Sequence, residues 1–164
     1  MKTIEFYLNI VHFCYYKADY KLHLLSNKVN PFKLLAEIPF VKRRHKKMGI
    51  VDFQKEIDKV FSDKNFGLST TVAGGAILLV LFVFFFGIVG IFIKYFISER
   101  LTNIHFITFG ILSALICYIF VFKGDKYLQY FDKFEKWTKA EKRKYNWLTF
   151  GSTIIVFVLW ILSF

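Results

Sequence analysis

The most apolar stretch of the chain runs from Val72 to Ile93 and has the sequence VAGGAILLVLFVFFFGIVGIFI. Leu, Ile, Val and Phe supply 16 of its 22 residues, and none of the 22 is charged. A helix crosses the hydrocarbon core of a bilayer, about 30 Å thick, when roughly 20 consecutive residues are apolar. We therefore predict a first membrane span within 68–97, with an N-cap at Ser69, Thr70 or Thr71.

Two further uncharged runs follow, at 101–122 and 145–164. Each is long enough for one span, so we place the second at 104–122 and the third at 147–164, with a short external loop at 98–103. A soluble chain of 164 residues is too small to bury three such helices. The predicted fold class is an all-α integral membrane protein with three transmembrane helices plus short amphipathic cytosolic helices.

The basic residues predict the orientation of the spans. Residues 1–67 hold 13 of the 23 Lys and Arg, residues 123–146 hold eight, and the other two, Lys94 and Arg100, lie between Ile93 and Leu101. Because basic segments stay on the cytosolic side, 1–67 and 123–146 are predicted to be basic cytosolic or interfacial helical regions, and the C-terminus to lie outside. The abundance of Lys, Ile, Phe, Tyr and Asn is typical of an AT-rich bacterial genome, which suggests a bacterial inner membrane. This topology accounts for the net charge of +11, so we do not expect nucleic acid as a partner.

The cytosolic segments contain several helix signals. The first 25 residues have an apolar face and a polar face at helical spacing, and we expect this helix to lie in the membrane interface or to pack on other cytosolic helices. Its apolar face holds Ile4, Leu8, Val11, Tyr15, Leu22 and Leu25, and its polar face Glu5, Asn9, His12, Tyr16 and Asp19. A short helix is predicted at Phe32–Glu37, a cap at Asp125, and a capping box from Thr138 to Glu141.

Two basic clusters are candidates for contact with anionic lipid headgroups. Such a contact contributes about 1 kcal/mol per basic residue near a charged leaflet. The alternative is that these residues are solvated and only fix the topology, and the two interpretations are compatible. The candidates are Lys42, Arg43, Arg44, Lys46, Lys47, Lys142, Arg143 and Lys144.

Small residues in the spans are candidates for helix packing, since they allow two helix backbones to approach closely. One candidate pair lies in each span: Gly87 and Gly90, Gly110 and Ala114, and Thr149 and Thr153. Whether these faces meet within one protomer or between protomers is left open by the sequence.

Phe131, Phe134 and Trp137 form an aromatic stripe in the second cytosolic segment and are candidates for binding a protein partner. They favour a non-enzymatic accessory, scaffold or immunity-type membrane subunit. The partners would then be the anionic bilayer and either another protein or a second copy of the chain. The alternative is a homo-oligomeric pore or membrane-disrupting effector of the holin or abortive-infection type, which the small size and the small-residue faces would suit.

Few residues suggest catalysis. Arg100 and His105 occur in Arg-Leu-Thr-Asn-Ile-His, and this spacing resembles the Arg-x4-His motif of HEPN-type ribonucleases, which implies RNA cleavage by the pair. The predicted topology places both residues outside, so we interpret them as interfacial polar groups; a third hypothesis uses them in an enzyme acting on headgroups. The spans contain no charged residue in their interiors, and the Cys and His residues show no ligand spacing. We therefore expect no catalytic residue, metal or cofactor.

Overall fold

The computed structural model describes residues 2–30, 38–50, 52–97 and 101–164, and every regular element within these ranges is a helix. This confirms the predicted all-helical fold for the described residues. The short helix predicted at Phe32–Glu37 lies outside them. The α-helices are α1 (Lys2–Val29), α2 (Pro39–Lys47), α3 (Phe53–Ser62), α4 (Leu68–Phe92), α5 (Asn103–Cys117), α6 (Lys126–Glu135) and α7 (Lys139–Leu162).

Three helical stretches are long and apolar enough to cross a membrane, at Leu68–Ile97, Asn103–Glu135 and Lys139–Leu162. The first is α4 continued by a π-helical turn, Ile93–Ile97. The second is α5 continued by another π-helical turn, Tyr118–Phe122, and a short 3-10 turn into α6. Only 33%, 22% and 11% of their most apolar windows are buried within the chain, so most of this apolar surface faces outward.

The chain changes direction between α5 and α6 at Gly124 and Asp125, which have φ angles of 69° and 52°. Glycine adopts this left-handed conformation without steric cost, whereas Asp is among the few other residues that tolerate it. Asp125 does not cap α6 with its side chain, so the predicted cap is wrong. The residue does precede α6, but its left-handed backbone differs from the extended N-cap geometry and its side chain makes no capping hydrogen bond.

The predicted cap of the first span is also wrong. Because α4 begins at Leu68, Ser69, Thr70 and Thr71 lie inside its first turn. The hydroxyl of Thr71 instead donates to the carbonyl of Gly67 at 3.1 Å, and that of Thr70 donates to the carbonyl of Asp63 at 3.0 Å.

The capping box predicted at the start of α7 is confirmed. The backbone N–H of Glu141 donates to the Thr138 hydroxyl at 3.3 Å, and the backbone N–H of Thr138 donates to the Glu141 carboxylate at 2.8 Å. From this cap α7 continues without a break to Leu162. The ammonium of Lys142 donates to the carbonyl of Glu135 at 2.8 Å, so this lysine caps the end of α6.

The chain forms two compact units, one of residues up to Tyr15 with Gly74–Phe164, and one of Tyr16–Ala73. In the second unit, Asp58 of α3 accepts hydrogen bonds from Asn27 at 2.9 Å and Gln54 at 3.1 Å. The same oxygen lies 3.0 Å from Nε2 of His23, whose ring stacks on Phe61. These contacts fix α3 against the second half of α1.

In the first unit, α4 and α7 approach closely at two glycines. A Cβ added to Gly87 would lie 3.0 Å from the backbone of Leu159 and Trp160, and one added to Gly90 would lie 2.8 Å from Cβ of Ser163. The α5 pair differs, because no atom lies within 4 Å of a Cβ added to Gly110, and Ala114 is exposed. Gly110 and Ala114 therefore point outward from the described chain, whereas Gly87 and Gly90 pack inside it.

Candidate functional site

The first half of α1 packs against three other helical segments of its unit. The side-chain amide of Asn9 donates to the carbonyl of Phe120, in the π-helical turn after α5, at 2.9 Å. The hydroxyl of Tyr15 lies 2.6 Å from that of Thr153 in α7, while neighbouring Thr149 is buried. Asn9 and His12 of the predicted polar face are inaccessible, together with the neighbouring Ile10 and Phe13, while Ile4 of the predicted apolar face is 56% exposed.

His12 lies within a group of aromatic rings. The ring centroids of Phe122, Tyr127 and Phe131 lie 5.6, 5.5 and 5.1 Å from that of His12. Edge and tilted contacts of this kind stabilise buried aromatic clusters. The imidazole is therefore part of the packing between α1 and α6 and is inaccessible at the surface.

The aromatic stripe predicted to bind a partner is also used within the chain. Phe131 and Phe134 are fully buried and contact the ring of Phe13 at 5.3 and 5.6 Å. Trp137 stacks on Phe134 at 4.2 Å and on Tyr145 at 4.4 Å. These side chains hold α1 and α7 onto α6, with Phe131 and Phe134 inside the chain and Trp137 partly exposed.

A cationic groove runs beside α6, next to this aromatic cluster, and Tyr130 lies between the two with its ring 5.6 Å from that of Phe134. It is open to the outside, has a volume of about 700 Å³, and is lined by Glu5, Ile119, Lys123, Lys126, Gln129, Tyr130 and Lys133 among others. The α6 members recur every three or four residues, which places them on one helix face. That spacing was visible in the sequence, but the contribution of Glu5 from α1 was not.

An ion pair crosses one wall of the groove. The ammonium of Lys126 donates to the carboxylate of Glu5 at 2.8 Å and to the carbonyl of Ile119 at 3.2 Å. The hydroxyl of Tyr130 donates to the other carboxylate oxygen at 3.2 Å. The hydrogen bond from Lys126 is the main reason that the pKa of Glu5 lies below its ordinary value, against a smaller opposing effect of burial. The Glu5 carboxylate is therefore charged at neutral pH.

The basic residues predicted to contact headgroups fall into two groups. Five lie on α2 and are exposed, namely Lys42, Arg43, Arg44, Lys46 and Lys47. On α7, Arg143 and Lys144 are exposed, whereas Lys142 is only partly exposed and bonds to Glu135. The cationic groove contains none of these residues.

The residues with catalytic or metal-binding potential have structural contacts. Arg100 lies outside the described residues, and Nδ1 of His105 accepts a hydrogen bond from the backbone N–H of Thr102 at 3.1 Å, at the start of α5. Cys14 and Cys117 are both buried as free thiols. Within the described ranges, no group of three or more His, Cys, Asp or Glu side chains is placed to hold a metal ion.

Comparison with known proteins gives no relative from which a role can be transferred: no family model, curated protein or solved structure matches this chain.

Proposed function

We propose that this is a multi-pass membrane protein that acts as a non-enzymatic accessory or scaffold subunit, with α4, α5 and α7 crossing the bilayer. Support for insertion comes from the outward surfaces of these helices. Leu79, Ile107 and Ile155 are 54%, 60% and 61% exposed. Apolar surface left in water costs about 25 cal/mol per Å² relative to burial, whereas lipid tails solvate it without that cost.

The first half of α1 supports the same placement. Ile4 and Tyr7 face outward, while Asn9 and His12 face inward together with Ile10 and Phe13, so the outward side of this part of α1 carries large apolar side chains. An interfacial helix can turn apolar side chains to the lipid, provided that its polar groups find partners within the protein. The hydrogen bond from the Asn9 amide nitrogen to Phe120 and the ion pair of Glu5 supply two such partners.

The proposed orientation follows from charge. The segments 1–67 and 123–146 together hold 21 of the 23 basic residues, which favours the cytosolic side for both. The N-terminus is then cytosolic and the C-terminus outside, in a cell membrane of the bacterial inner-membrane type.

The absence of catalysis is inferred from how the described polar groups are used. Glu5 pairs with Lys126, Asp58 binds His23 and Asn27, and His105 belongs to a helix cap. This use of titratable side chains in structural contacts is the observation that carries the proposal, because chemistry requires such groups to face a substrate. A membrane protein whose Glu5, Asp58 and His105 are engaged in this way is suited to binding and positioning other components.

The test is the composition of the particle. The protein, tagged at its N-terminus, is extracted from its native membrane in a mild detergent, and the mass of the intact complex is measured. We expect one or two copies of this chain with a different protein at fixed stoichiometry. A ring of identical copies would replace this proposal with the pore alternative, and a particle of this chain alone in one or two copies would also contradict it.

A further inference from the structure

We propose that the cationic groove beside α6 binds the phosphate-bearing headgroup of one anionic phospholipid. This inference rests on the proposed membrane insertion, and it concerns residues other than the basic clusters of α2 and α7. The groove combines positive charge, hydrogen-bond donors and a position near the membrane surface, which together suit this ligand.

The lining of the groove is rich in positively charged side chains. Three lysines line the groove, at positions 123, 126 and 133, against the single carboxylate of Glu5. Among the described residues, Lys126 is the groove lysine that lies in an ion pair, and it neutralises Glu5. The ammonium groups of Lys123 and Lys133 therefore give the groove an excess of positive charge, and both side chains are exposed.

The groove also offers hydrogen-bond donors to a phosphate group. Gln129 presents a side-chain amide on the face of α6 that also carries Lys126 and Lys133, while the single O–H of Tyr130 is already donated to Glu5. Phosphate oxygens accept hydrogen bonds from groups of these types, and ammonium groups contribute the strongest of them. The Glu5–Lys126–Tyr130 contacts fix this wall before any ligand arrives, which reduces the entropy lost on binding.

The expected depth of the groove in the membrane favours a lipid over free phosphate as its ligand. Lys123 directly follows the uncharged run that ends at Phe122, and the groove includes Ile119 from that run. If α5 spans the bilayer, the lysines lie at the level of the headgroups and Ile119 lies toward the acyl chains. A phospholipid can then bind its phosphate to the lysines while its tails remain in the lipid.

The test measures binding to the full-length protein in detergent micelles. Short-chain phosphatidylglycerol, short-chain phosphatidylcholine and inorganic phosphate are titrated separately, and native mass spectrometry counts the bound molecules. The double variant Lys123→Gln/Lys133→Gln removes two charges from the groove. The control Lys136→Gln/Lys139→Gln removes two exposed charges from the same segment but outside the groove.

We expect one phosphatidylglycerol per chain to bind with saturation, and more tightly than phosphatidylcholine, whose choline group the lysines repel. Binding should weaken by at least about tenfold in the groove variant and by less than about twofold in the control. Equal losses in both variants would show diffuse attraction and overturn the proposal. Equal binding of the two lipids, or competition by inorganic phosphate at the same concentration as lipid, would overturn it as well.

Two further measurements distinguish a loss of lipid binding from a loss of folding and from a failure of membrane insertion. Thermal unfolding of each variant, together with binding by Lys123→Gln alone, guards against loss of folding, because Lys133 also lies 5.5 Å from the ring of Phe6. Alkaline extraction of native membranes tests insertion independently. Release of the protein by alkali would refute the membrane proposal itself, whereas retention without lipid binding would refute only the groove.

Discussion

At the scale of single residues, some side chains that the sequence suggests for binding a partner contact other parts of the same chain instead. Phe131 and Phe134 were candidates for a partner surface but lie inside the chain. An amphipathic stripe shows that one helix face needs cover, but it does not show whether the cover comes from the same chain. Here the cover comes from α1, whose Phe6 and Phe13 contact Phe134 at 5.7 and 5.6 Å.

The ion pair of Glu5 predicts a pH-dependent stability. Because the folded-state pKa of Glu5 lies below its ordinary value, the pair stabilises fully above that ordinary value and is lost as the pH falls through the folded-state pKa. Glu5→Gln should therefore lower the unfolding temperature at pH 7, with the difference from the native protein shrinking below about pH 4. Thermal unfolding in detergent at pH 7 and pH 3 measures this. Glu56→Gln, at an exposed position of α3, is the control, and an equal change in both variants would contradict the role of the pair.

Gly87 of α4 and Gly110 of α5 allow the same substitution, glycine to alanine, to be compared at a packed and at an open position. Gly87→Ala places a Cβ 3.0 Å from the backbone of α7 and should cost about 1–3 kcal/mol of stability. Gly110→Ala meets no atom within 4 Å and should leave the stability of the monomer unchanged or slightly higher, since Ala favours helix over Gly. Denaturation in detergent measures both variants. A larger loss at Gly110 would show that the face of α5 is the more tightly packed.

At the scale of elements, the sequence predicted the long helices and the start of α7 well. Uncharged runs of 20 or more residues leave few alternatives to long apolar helices, and the Thr138–Glu141 pattern is a local signal that needs no tertiary context. The buried face of α1 could not be predicted in the same way. Asn9 and His12, on its predicted polar side, are buried together with Ile10 and Phe13, and this depends on contacts with the π-helical turn after α5 and with α6 that no local pattern specifies.

The capping box of α7 gives a prediction at this scale. Thr138→Ala removes the acceptor for the Glu141 backbone N–H and should destabilise the protein by about 1 kcal/mol. Thr138→Ser keeps the hydroxyl and should restore most of that loss. Unfolding in detergent of the two variants, side by side, provides the measurement. Equal stability of the two would show that the hydroxyl does not support the helix start.

At the scale of the whole molecule, charge and apolar surface are separated along the chain. Basic residues cluster in 1–67 and 123–146, and the three long helices between and after these segments expose mostly apolar side chains. Composition alone predicted this division. The groove beside α6 could not be predicted, because it requires Glu5 and Lys126, which are 121 positions apart in sequence, to lie 2.8 Å from each other.

The most direct test of the account is the topology of the chain in its membrane. Cys14→Ser and Cys117→Ala remove the native thiols, and single cysteines are then introduced at Lys46, Asn103, Lys139 or Phe164, which are all exposed. Each variant is treated with a membrane-impermeant maleimide in intact spheroplasts and again after permeabilisation. We predict that Asn103→Cys and Phe164→Cys react in intact spheroplasts, and that Lys46→Cys and Lys139→Cys react only after permeabilisation. Reaction of all four from one side would contradict three membrane crossings, and the reverse pattern would contradict the cytosolic placement of the basic segments.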